Sequence, residues 1–288
     1  MSDQAPAVSP GHLYVVATPI GHLGDLSPRA AAVLGSVDRI LAEDTRTSGV
    51  LLQQLGIQQP ISALHEHNER AQTEQLIARL TGGETLALIS DAGTPLISDP
   101  GFVLVRAARA ADLPVVAVPG PCALVAALSI AGLPTDRFTF IGFLPAKGGA
   151  RRQALASLRA VPHTLVAYEA SHRIVDTAAD LAAVLGPDRP VMLARELTKR
   201  FEQSVSCPAG DLAGWLQADA NRQRGEFVLV IGGAPVAASD EVEAAAVLKV
   251  LLAELPASRA ARVAAELTGL PRKRLYEMAL MAGGGDDR

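Results

Sequence analysis

The sequence predicts an α/β protein of two domains followed by a small helical unit. In the first half, short runs rich in Val, Ile and Leu alternate with helical patterns, which is typical of a mostly parallel sheet covered on both faces. A basic stretch containing Pro and Gly at 142–152 separates this half from shorter strands, where we expect a mixed sheet. From about residue 234 the chain is rich in Ala and has amphipathic helical spacing without strands.

The elements of the first half are predicted from apolar runs and from the Pro and Gly residues at their ends. Pro28 opens the first helix because proline suits a first helical turn, and Gly56 ends the second helix. The predicted strands are 13–20, 38–44, 61–67, 85–90 and 114–120, and the predicted helices are 28–37, 48–56, 69–80, 102–113 and 122–132.

The second half has strand patterns at 163–170, 190–196, 204–210 and 226–233, with helices at 174–185 and around Trp215. The punctuation predicts three units: an N-terminal α/β domain at 11–144, a second α/β domain at 145–234 and a helical unit at 240–288.

Composition excludes several classes of protein. The chain has 288 residues, 49% hydrophobic and 19% charged, with a formal net charge of −4, so it is neither disordered nor globally basic. Cys122 and Cys207 lie far apart without metal-type spacing, which argues against a disulfide scaffold. No signal-peptide pattern opens the chain, and no uninterrupted apolar run is long enough to span a membrane. We expect a cytoplasmic protein.

Four turns at predicted strand ends carry the functional signal: 18–25, 43–46, 91–99 and 119–123. The carboxyl ends of strands form the ligand crevice of an open α/β sheet, so these loops predict a small-molecule site. Tight connections without function are the alternative, since turns concentrate Gly, Pro and Asp. The sequence has no G-x-G-x-x-G after the first strand and no P-loop, G-x-S-x-G or H-E-x-x-H motif.

His65 and His67 fall on the same side of a predicted strand, but no third ligand is evident nearby. We therefore expect a polar lining of the crevice and no metal.

Eight segments in order carry a resemblance over about residues 11–280: LYVVATPIGHLGDLSPRA, AEDTR, LISDAGTPLISDPG, VPGPCALVAALSIAGLP, GFLPAK, YEASHR, ARELTK and GEFVLVIGG. Together they resemble the branch of the tetrapyrrole methylase superfamily that methylates small-subunit ribosomal RNA. The resemblance implies S-adenosylmethionine bound between two α/β domains, without a metal, in a homodimer. It also implies methylation of the 2′-hydroxyl of a cytidine in the decoding region of 16S rRNA within the 30S subunit. His22 replaces the Asn usual in the family, which leaves the turn itself intact because His tolerates unusual backbone angles.

The resemblance also implies which residues hold the cofactor. Gly93 allows close backbone approach, and Thr94 replaces a common Asp, so that its ligand contact is neutral and Asp91 is expected to supply the acid. Amides at the start of a helix suit a ligand carboxylate or ribose, although Cys122 is equally well explained as a small buried residue. The full predicted cofactor-binding set is Pro19, Asp91, Ala92, Gly93, Thr94, Ile97, Cys122, Ala123, Tyr168 and Leu197.

The implied methyl transfer needs a positioned hydroxyl and a base or cation beside it. The side chains considered for this role are Asp25, Glu43, Asp44, Arg46, Glu169, Arg195, Glu196 and Lys199. From them we predict Lys199, Glu196 and Asp44 as catalytic. The alternative for Lys199 and Glu196 is an ordinary solvated salt bridge.

Basic side chains are predicted to contact RNA phosphates, with solvated charged loops as the alternative. The segment 257–280 resembles a helix-turn-helix in size and carries a net charge of +3. A plain packing appendage is the alternative for this segment. The predicted RNA-binding set is Arg46, Lys147, Arg151, Arg152, Arg272, Lys273 and Arg274.

Two other functions remain open from sequence. A tetrapyrrole methylase would share the fold and the cofactor but act on a porphyrinoid carbon. A non-catalytic RNA-binding or ribosome-assembly factor would have lost S-adenosylmethionine affinity, so a binding measurement separates it from either enzyme.

Overall fold

A computed structural model describes residues 8–283, apart from the side chains of 236–241 and 283. The first domain holds a five-stranded parallel sheet in the order β3-β2-β4-β1-β5. Its strands are β1 (Leu13–Val16), β2 (Arg39–Ala42), β3 (Ile61–Ala63), β4 (Leu86–Ile89) and β5 (Val115–Val118). Its helices are α1 (Pro28–Leu34), α2 (Thr45–Gln54), α3 (Glu69–Thr81), α4 (Phe102–Ala110) and α5 (Ala123–Ile130).

Local chemistry explains where these elements begin. The Ser27 hydroxyl accepts a hydrogen bond from the Ala30 amide at 3.0 Å, with Pro28 in the first turn of α1 as predicted. Helix α2 begins at Thr45, earlier than expected, because the Asp44 carboxylate caps it. Strand β1 ends at Val16, also earlier than expected, because Thr18 pairs instead with Gly93 in an isolated bridge.

Both faces of the first sheet are buried, which explains the continuous apolar strands. Along adjacent positions, Leu88 packs into the apolar cluster of one face and Ile89 into that of the other. The predicted parallel sheet covered on both sides is confirmed.

The second domain holds a five-stranded mixed sheet in the order β6-β7-β10-β8-β9, as predicted. Strands β6 and β7 are parallel, and the other pairs are antiparallel. The strands are β6 (Phe138–Phe143), β7 (Thr164–Ala170), β8 (Pro190–Arg195), β9 (Gln203–Pro208) and β10 (Glu226–Ile231). The helices are α6 (Gly148–Ser157), α7 (Ile174–Leu185), which matches the predicted span, and α8 (Ala209–Gln217).

Strand β6 changes the expected division of the chain. It pairs with β7 in the second sheet, so the division falls between α5 and β6 and not at 144. Sequence punctuation misplaced it because the Gly- and Pro-containing stretch joins β6 to α6 within the second domain. Helix α5 connects the two domains physically, since Leu124 and Leu128 pack with Val166 and Val228 of the second sheet.

Three helices follow the second sheet: α9 (Val236–Leu252), α10 (Ala257–Thr268) and α11 (Arg272–Gly283). They enclose their own small core, in which Leu248, Ala264 and Leu275 are buried. Gly269 ends α10 with a φ of 74°, a left-handed conformation that glycine adopts without strain. The last residues of the predicted unit, 284–288, lie outside the described residues. Within the described part of the chain, no helix is both long and apolar enough to cross a membrane.

Candidate active site

A cavity of about 460 Å³ lies where the loops at the carboxyl ends of the first sheet meet the second domain. Its volume falls in the usual range for small-molecule sites, about 300–1,000 Å³. The structure brings all but one of the residues predicted for the cofactor to its wall: Asp91, Ala92, Gly93, Thr94, Ile97, Cys122, Ala123, Tyr168 and Leu197. Pro19 is not on the wall, whereas its neighbour Ile20 is.

Gly93 holds the turn after β4 in a conformation that suits few other residues. Its φ is 86°, and its amide and carbonyl both bond to Thr18, at 3.1 and 2.9 Å. A Cβ at this position would lie 3.2 Å from Cγ2 of Ile20 and 3.7 Å from the Pro121 carbonyl oxygen. The missing side chain therefore keeps the cavity wall open beside the backbone, as the sequence predicts.

Thr94 ties two of the predicted loops together. Its hydroxyl donates to the Pro121 carbonyl at 2.9 Å. The proton of the hydroxyl is thus engaged within the protein, so only its oxygen lone pairs remain for a ligand.

Tyr168 closes the wall from the second domain. Its hydroxyl accepts from the Leu124 amide at 3.2 Å, in the first turn of α5, and so occupies one of the free donors at that helix end. Burial, and next the adjacent Cys122, raise the pKa of Tyr168, which keeps the phenol neutral. The Tyr168 ring also meets Phe140 and Phe143 edge to face, with centroids 4.9 and 5.7 Å apart.

Asp44 lies beside this cavity but does not line it. Its carboxylate accepts from the Arg46 amide at 2.8 Å and pairs with the Arg46 guanidinium at 2.7 Å. Its own amide donates to Asp91 at 3.0 Å. The hydrogen bonds from Arg46 lower the pKa of Asp44 to about 2, so this carboxylate is a poor proton acceptor. The geometry assigns Asp44 to capping α2 and bracing Asp91.

Lys199 and Glu196 form an ion-pair cluster with Glu226, which does line the cavity. The Lys199 ammonium lies 3.0 Å from Glu196 and 2.8 Å from Glu226. Although burial opposes both effects, hydrogen bonding raises the pKa of Lys199 and lowers that of Glu196. Both groups are therefore charged at neutral pH, and the cluster can orient a substrate hydroxyl but is not suited to remove its proton.

The turn after β1 docks on the same loop. The His22 amide donates to the Thr198 hydroxyl at 3.1 Å, and a Cβ on Gly21 would approach Cγ of Lys199 to 2.4 Å. The His22 ring accepts from the Gly24 amide at 3.1 Å and caps a short 3-10 turn. The imidazole thus supplies a capping acceptor of the kind that Asn supplies, which accounts for this departure from the family pattern.

Two other side chains considered for catalysis are structural. The Glu169 carboxylate is fully buried and accepts from Arg173, from the Thr177 hydroxyl at 2.6 Å and from the Ala170 amide at 2.7 Å. Arg195 is also buried and donates to the carbonyls of the loops on either side of it, at 2.8 and 3.2 Å. Neither group is available to a substrate. Asp25 is exposed outside the cavity wall.

The structure also corrects the predicted RNA-binding set. Arg151 is buried, with its guanidinium 2.7 Å from Asp180 and 3.3 Å from the Ala146 carbonyl, so it cannot reach a phosphate. Sequence could not separate it from Arg152, which shares Asp180 at 3.2 Å but keeps 55% of its side chain exposed. The remaining members are exposed: Arg46, Lys147, Arg272, Lys273 and Arg274, the last paired with Glu277 at 3.7 Å.

Asp99 and Phe143 are among the residues of the cavity wall that sequence reasoning missed. Burial raises the pKa of Asp99 to about 6; Ser90 opposes the shift by hydrogen bonding, and the charges of Glu43 and Asp91 add to it. Asp99 stands in the ISDPG part of a loop already predicted to bind a ligand, so its position was a signal. No sequence signal pointed to Phe143 as a site residue, because an aromatic residue at the end of a strand is more often part of a core.

Comparison with known proteins agrees with this geometry. The family described as Tetrapyrrole (Corrin/Porphyrin) Methylases matches residues 12–213, and one described as RsmI C-terminal HTH domain matches 238–283. The fold and the site define an S-adenosylmethionine-dependent methyltransferase, and the chain belongs to the tetrapyrrole methylase family. The resemblance predicted from the eight sequence segments is confirmed.

Relatives at about 50% identity extend over almost the whole chain. A protein of Pseudomonas aeruginosa named ribosomal RNA small subunit methyltransferase I is 53% identical, covering 96% of this chain and 99% of the relative. Its namesake in Escherichia coli O157:H7 is 50% identical, covering 96% of this chain and 97% of the relative.

Solved structures share the fold at low identity. Uroporphyrin-III C-methyltransferase from Thermus thermophilus, complexed with S-adenyl homocysteine, has a TM-score of 0.53 at 20% identity over 77% of this chain and 97% of its own. A cobalt precorrin-4 methyltransferase gives 0.57 at 14% identity, over 77% of this chain and 95% of its own.

Proposed function

We propose that this enzyme transfers a methyl group from S-adenosylmethionine to the 2′-hydroxyl of a cytidine in the decoding region of 16S rRNA, within the 30S subunit. The names of its full-length relatives support ribosomal RNA of the small subunit as the substrate. The runner-up is methylation of a tetrapyrrole carbon, which the solved structures of similar fold would suggest.

The helical unit formed by α9, α10 and α11 is the feature that favours RNA over a tetrapyrrole as the substrate. The tetrapyrrole methylases align over 95–97% of their own length but cover only 77% of this chain. The C-terminal unit lies beyond the match to their family and presents exposed Arg272 and Lys273 at the start of α11. Cations of this kind bind a phosphate backbone, whereas a porphyrinoid substrate needs no such extension.

The cavity residues fit the cofactor. Its carboxylate and ribose are polar, and the wall offers Asp91, the open backbone at Gly93 and the start of α5 at Cys122 and Ala123. When bound there, S-adenosylmethionine supplies an electrophilic methyl group. We assign the predicted cofactor-binding set to this role, with Ile20 in place of Pro19.

The chain's own contribution to the reaction is then positioning and charge. The Lys199, Glu196 and Glu226 cluster lies at the cavity edge, where an ammonium can hold a ribose oxygen or a phosphate against the methyl group. Asp44 is assigned a bracing role because of its low pKa. For RNA we retain the predicted set without Arg151, and we expect a cytoplasmic homodimer.

A methylation assay with labelled S-adenosylmethionine tests the substrate. It offers 30S subunits, free 16S rRNA and uroporphyrinogen in parallel, and nuclease digestion with mass mapping locates the methyl group. A 2′-O-methylcytidine in the decoding region supports the proposal. Methylation of the tetrapyrrole alone overturns the substrate but keeps the cofactor site, and absence of measurable S-adenosylmethionine affinity overturns the enzyme.

The RNA-contacting role of α11 has a separate test. Replacing Arg272, Lys273 and Arg274 by Ala should reduce the slope of log affinity against log salt by about 2–3, since each phosphate contact contributes about 0.7–0.9. A triple variant of exposed arginines elsewhere, at positions 70, 137 and 159, is the control that removes the same charge. An equal loss of slope in both variants would mean that α11 contributes only net charge.

A further inference from the structure

Four carboxylates line the cavity: Asp91, Asp99, Glu169 and Glu226. Two of them are already engaged. Glu169 is fully buried, with both oxygens bonded to neighbouring groups, and Glu226 has its side chain 78% exposed and paired with Lys199. Neither arrangement leaves a carboxylate inside the cavity that is free to take a proton from a substrate.

The remaining two differ in setting. Asp91 is exposed and accepts the Asp44 amide at 3.0 Å, which ties it to the start of α2. Asp99 is half-buried and lies in a turn where Leu96 and Ser98 have φ angles of 73° and 68°. Such angles in residues other than glycine are costly and persist at functional sites because the surroundings impose them. The turn therefore holds Asp99 against the cavity at an energetic cost.

The groups around Asp99 favour proton uptake. Its charged neighbours are the acidic Glu43, at the end of β2, and Asp91, at the end of β4. The neutral Tyr168 faces it from β7, whereas a hydrogen bond from Ser90, at the end of β4, opposes proton uptake without outweighing burial. With a pKa raised to about 6, Asp99 is ionised at neutral pH yet a stronger base than an ordinary aspartate.

An exposed aromatic ring lies on the cavity wall next to this turn. The hydroxyl of Ser98 lies 3.5 Å from where a Cβ on Gly142 would stand, and the next residue, Phe143, keeps 53% of its surface exposed on the cavity wall. Exposed aromatic rings of this kind stack nucleobases. A base stacked on Phe143 would therefore lie next to the turn that carries Asp99.

We propose that Asp99 accepts the proton of the ribose 2′-hydroxyl during methyl transfer, an inference that rests on the proposed function. The ribose oxygen bonds to the methyl carbon as the carbon–sulfur bond breaks, and the sulfur keeps that electron pair. The hydroxyl proton passes to the Asp99 carboxylate, which later releases it to water. The net charge is zero before and after the step, since a sulfonium and a carboxylate become a thioether and a carboxylic acid.

The test compares Asp99→Asn with the wild-type enzyme in single turnovers on 30S subunits across pH 5–9. We expect the wild-type rate to rise tenfold per pH unit below an inflection near 6 and then level off. The variant should lose about 100-fold or more in rate and lose the inflection, as general bases contribute 10²–10⁴. Its S-adenosylmethionine affinity, measured by calorimetry, should stay within a few-fold. The exposed Asp112→Asn, whose φ of 54° suits Asn, is the matched control.

A second variant keeps the inference testable if the first folds poorly. Asp99→Ala leaves room for a small base, so added formate should restore a measurable part of the rate, which a merely structural role would not allow. A carbon-13 NMR titration of the Asp99 carboxyl gives a readout independent of activity, with a midpoint near 6 expected. A wild-type inflection that persists in Asp99→Asn would overturn Asp99 while leaving the 2′-O-methylation intact. Methylation of a carbon acceptor alone would overturn both.

Discussion

The buried pair of Arg151 and Asp180 offers a sharp test of whether this arginine is structural. Arg151 on α6 has 4% of its side chain exposed and Asp180 on α7 has 12%, with Nε and Oδ2 2.7 Å apart. Removing one member of a buried pair costs about 3–5 kcal/mol, because the other is left charged without its partner. Arg152 stays within 3.2 Å of Asp180, so we expect Arg151→Leu to lose about 3 kcal/mol of unfolding free energy, the lower end of that range.

Urea unfolding followed by the fluorescence of Trp215 provides the assay. It is the only tryptophan of the chain and lies on α8, within the same domain core as α7. The control Arg152→Ala, at a half-exposed site, should cost about 1 kcal/mol or less. Adding Asp180→Leu to Arg151→Leu should recover part of the loss, since apolar replacement of a buried pair is often neutral or stabilising. A stable Arg151→Leu with a weaker salt dependence of RNA binding would refute the structural role.

Three further predictions concern the cavity. Asp99→Asn should stabilise the free protein by about 1–2 kcal/mol at pH 8, once partial exposure is allowed for, and little at pH 4. The sign follows because the pKa of Asp99 is about 6 in the folded protein and 3.8 in the unfolded chain. The free energy of unfolding of the wild type therefore falls as the pH rises between these values. Thermal melting at several pH values measures this fall. Gly93→Ala should lose about 1–2 kcal/mol in thermal unfolding because its φ is 86°; an unchanged melting temperature would contradict the strain. Tyr168→Phe should lower the free energy of unfolding by about 1–2 kcal/mol, because the Leu124 amide loses its acceptor. Denaturant titration measures this loss, and an unchanged free energy of unfolding would mean that water replaces the hydroxyl.

Sequence reasoning predicted the architecture because local signals and burial agreed. Strands buried on both faces appear as continuous apolar runs in the sequence, and Pro28 marks a helix start that the structure confirms. The boundary at 144 was wrong because β6 joins the second sheet through pairing with β7, a long-range contact that turn composition does not encode.

For the site, the loops at strand ends were predictable, but the direction of each side chain was not. Arg151 and Arg152 are adjacent and chemically identical, yet one turns into the domain and the other outward. Most of the partners that engage Glu169 and Arg195 lie four or more residues away in the sequence. The raised pKa of Asp99 comes first from burial and then from charges such as that of Glu43, which lies 56 positions earlier in the chain, so only the fold reveals it.

The position of β10 has a consequence for how this protein is made. It pairs with β7 on one side and β8 on the other, although it is the last strand of its sheet to be synthesised. The parallel first sheet can close while the ribosome is still translating, but the second sheet remains split until residues 226–231 have emerged. Phe227 and Val228 of the same strand line the cavity, so a nascent chain lacks part of the wall that we propose for the methyl donor. Pairings between such distant segments are slow to form, and assembly of β10 should therefore set the time at which the complete cavity first appears.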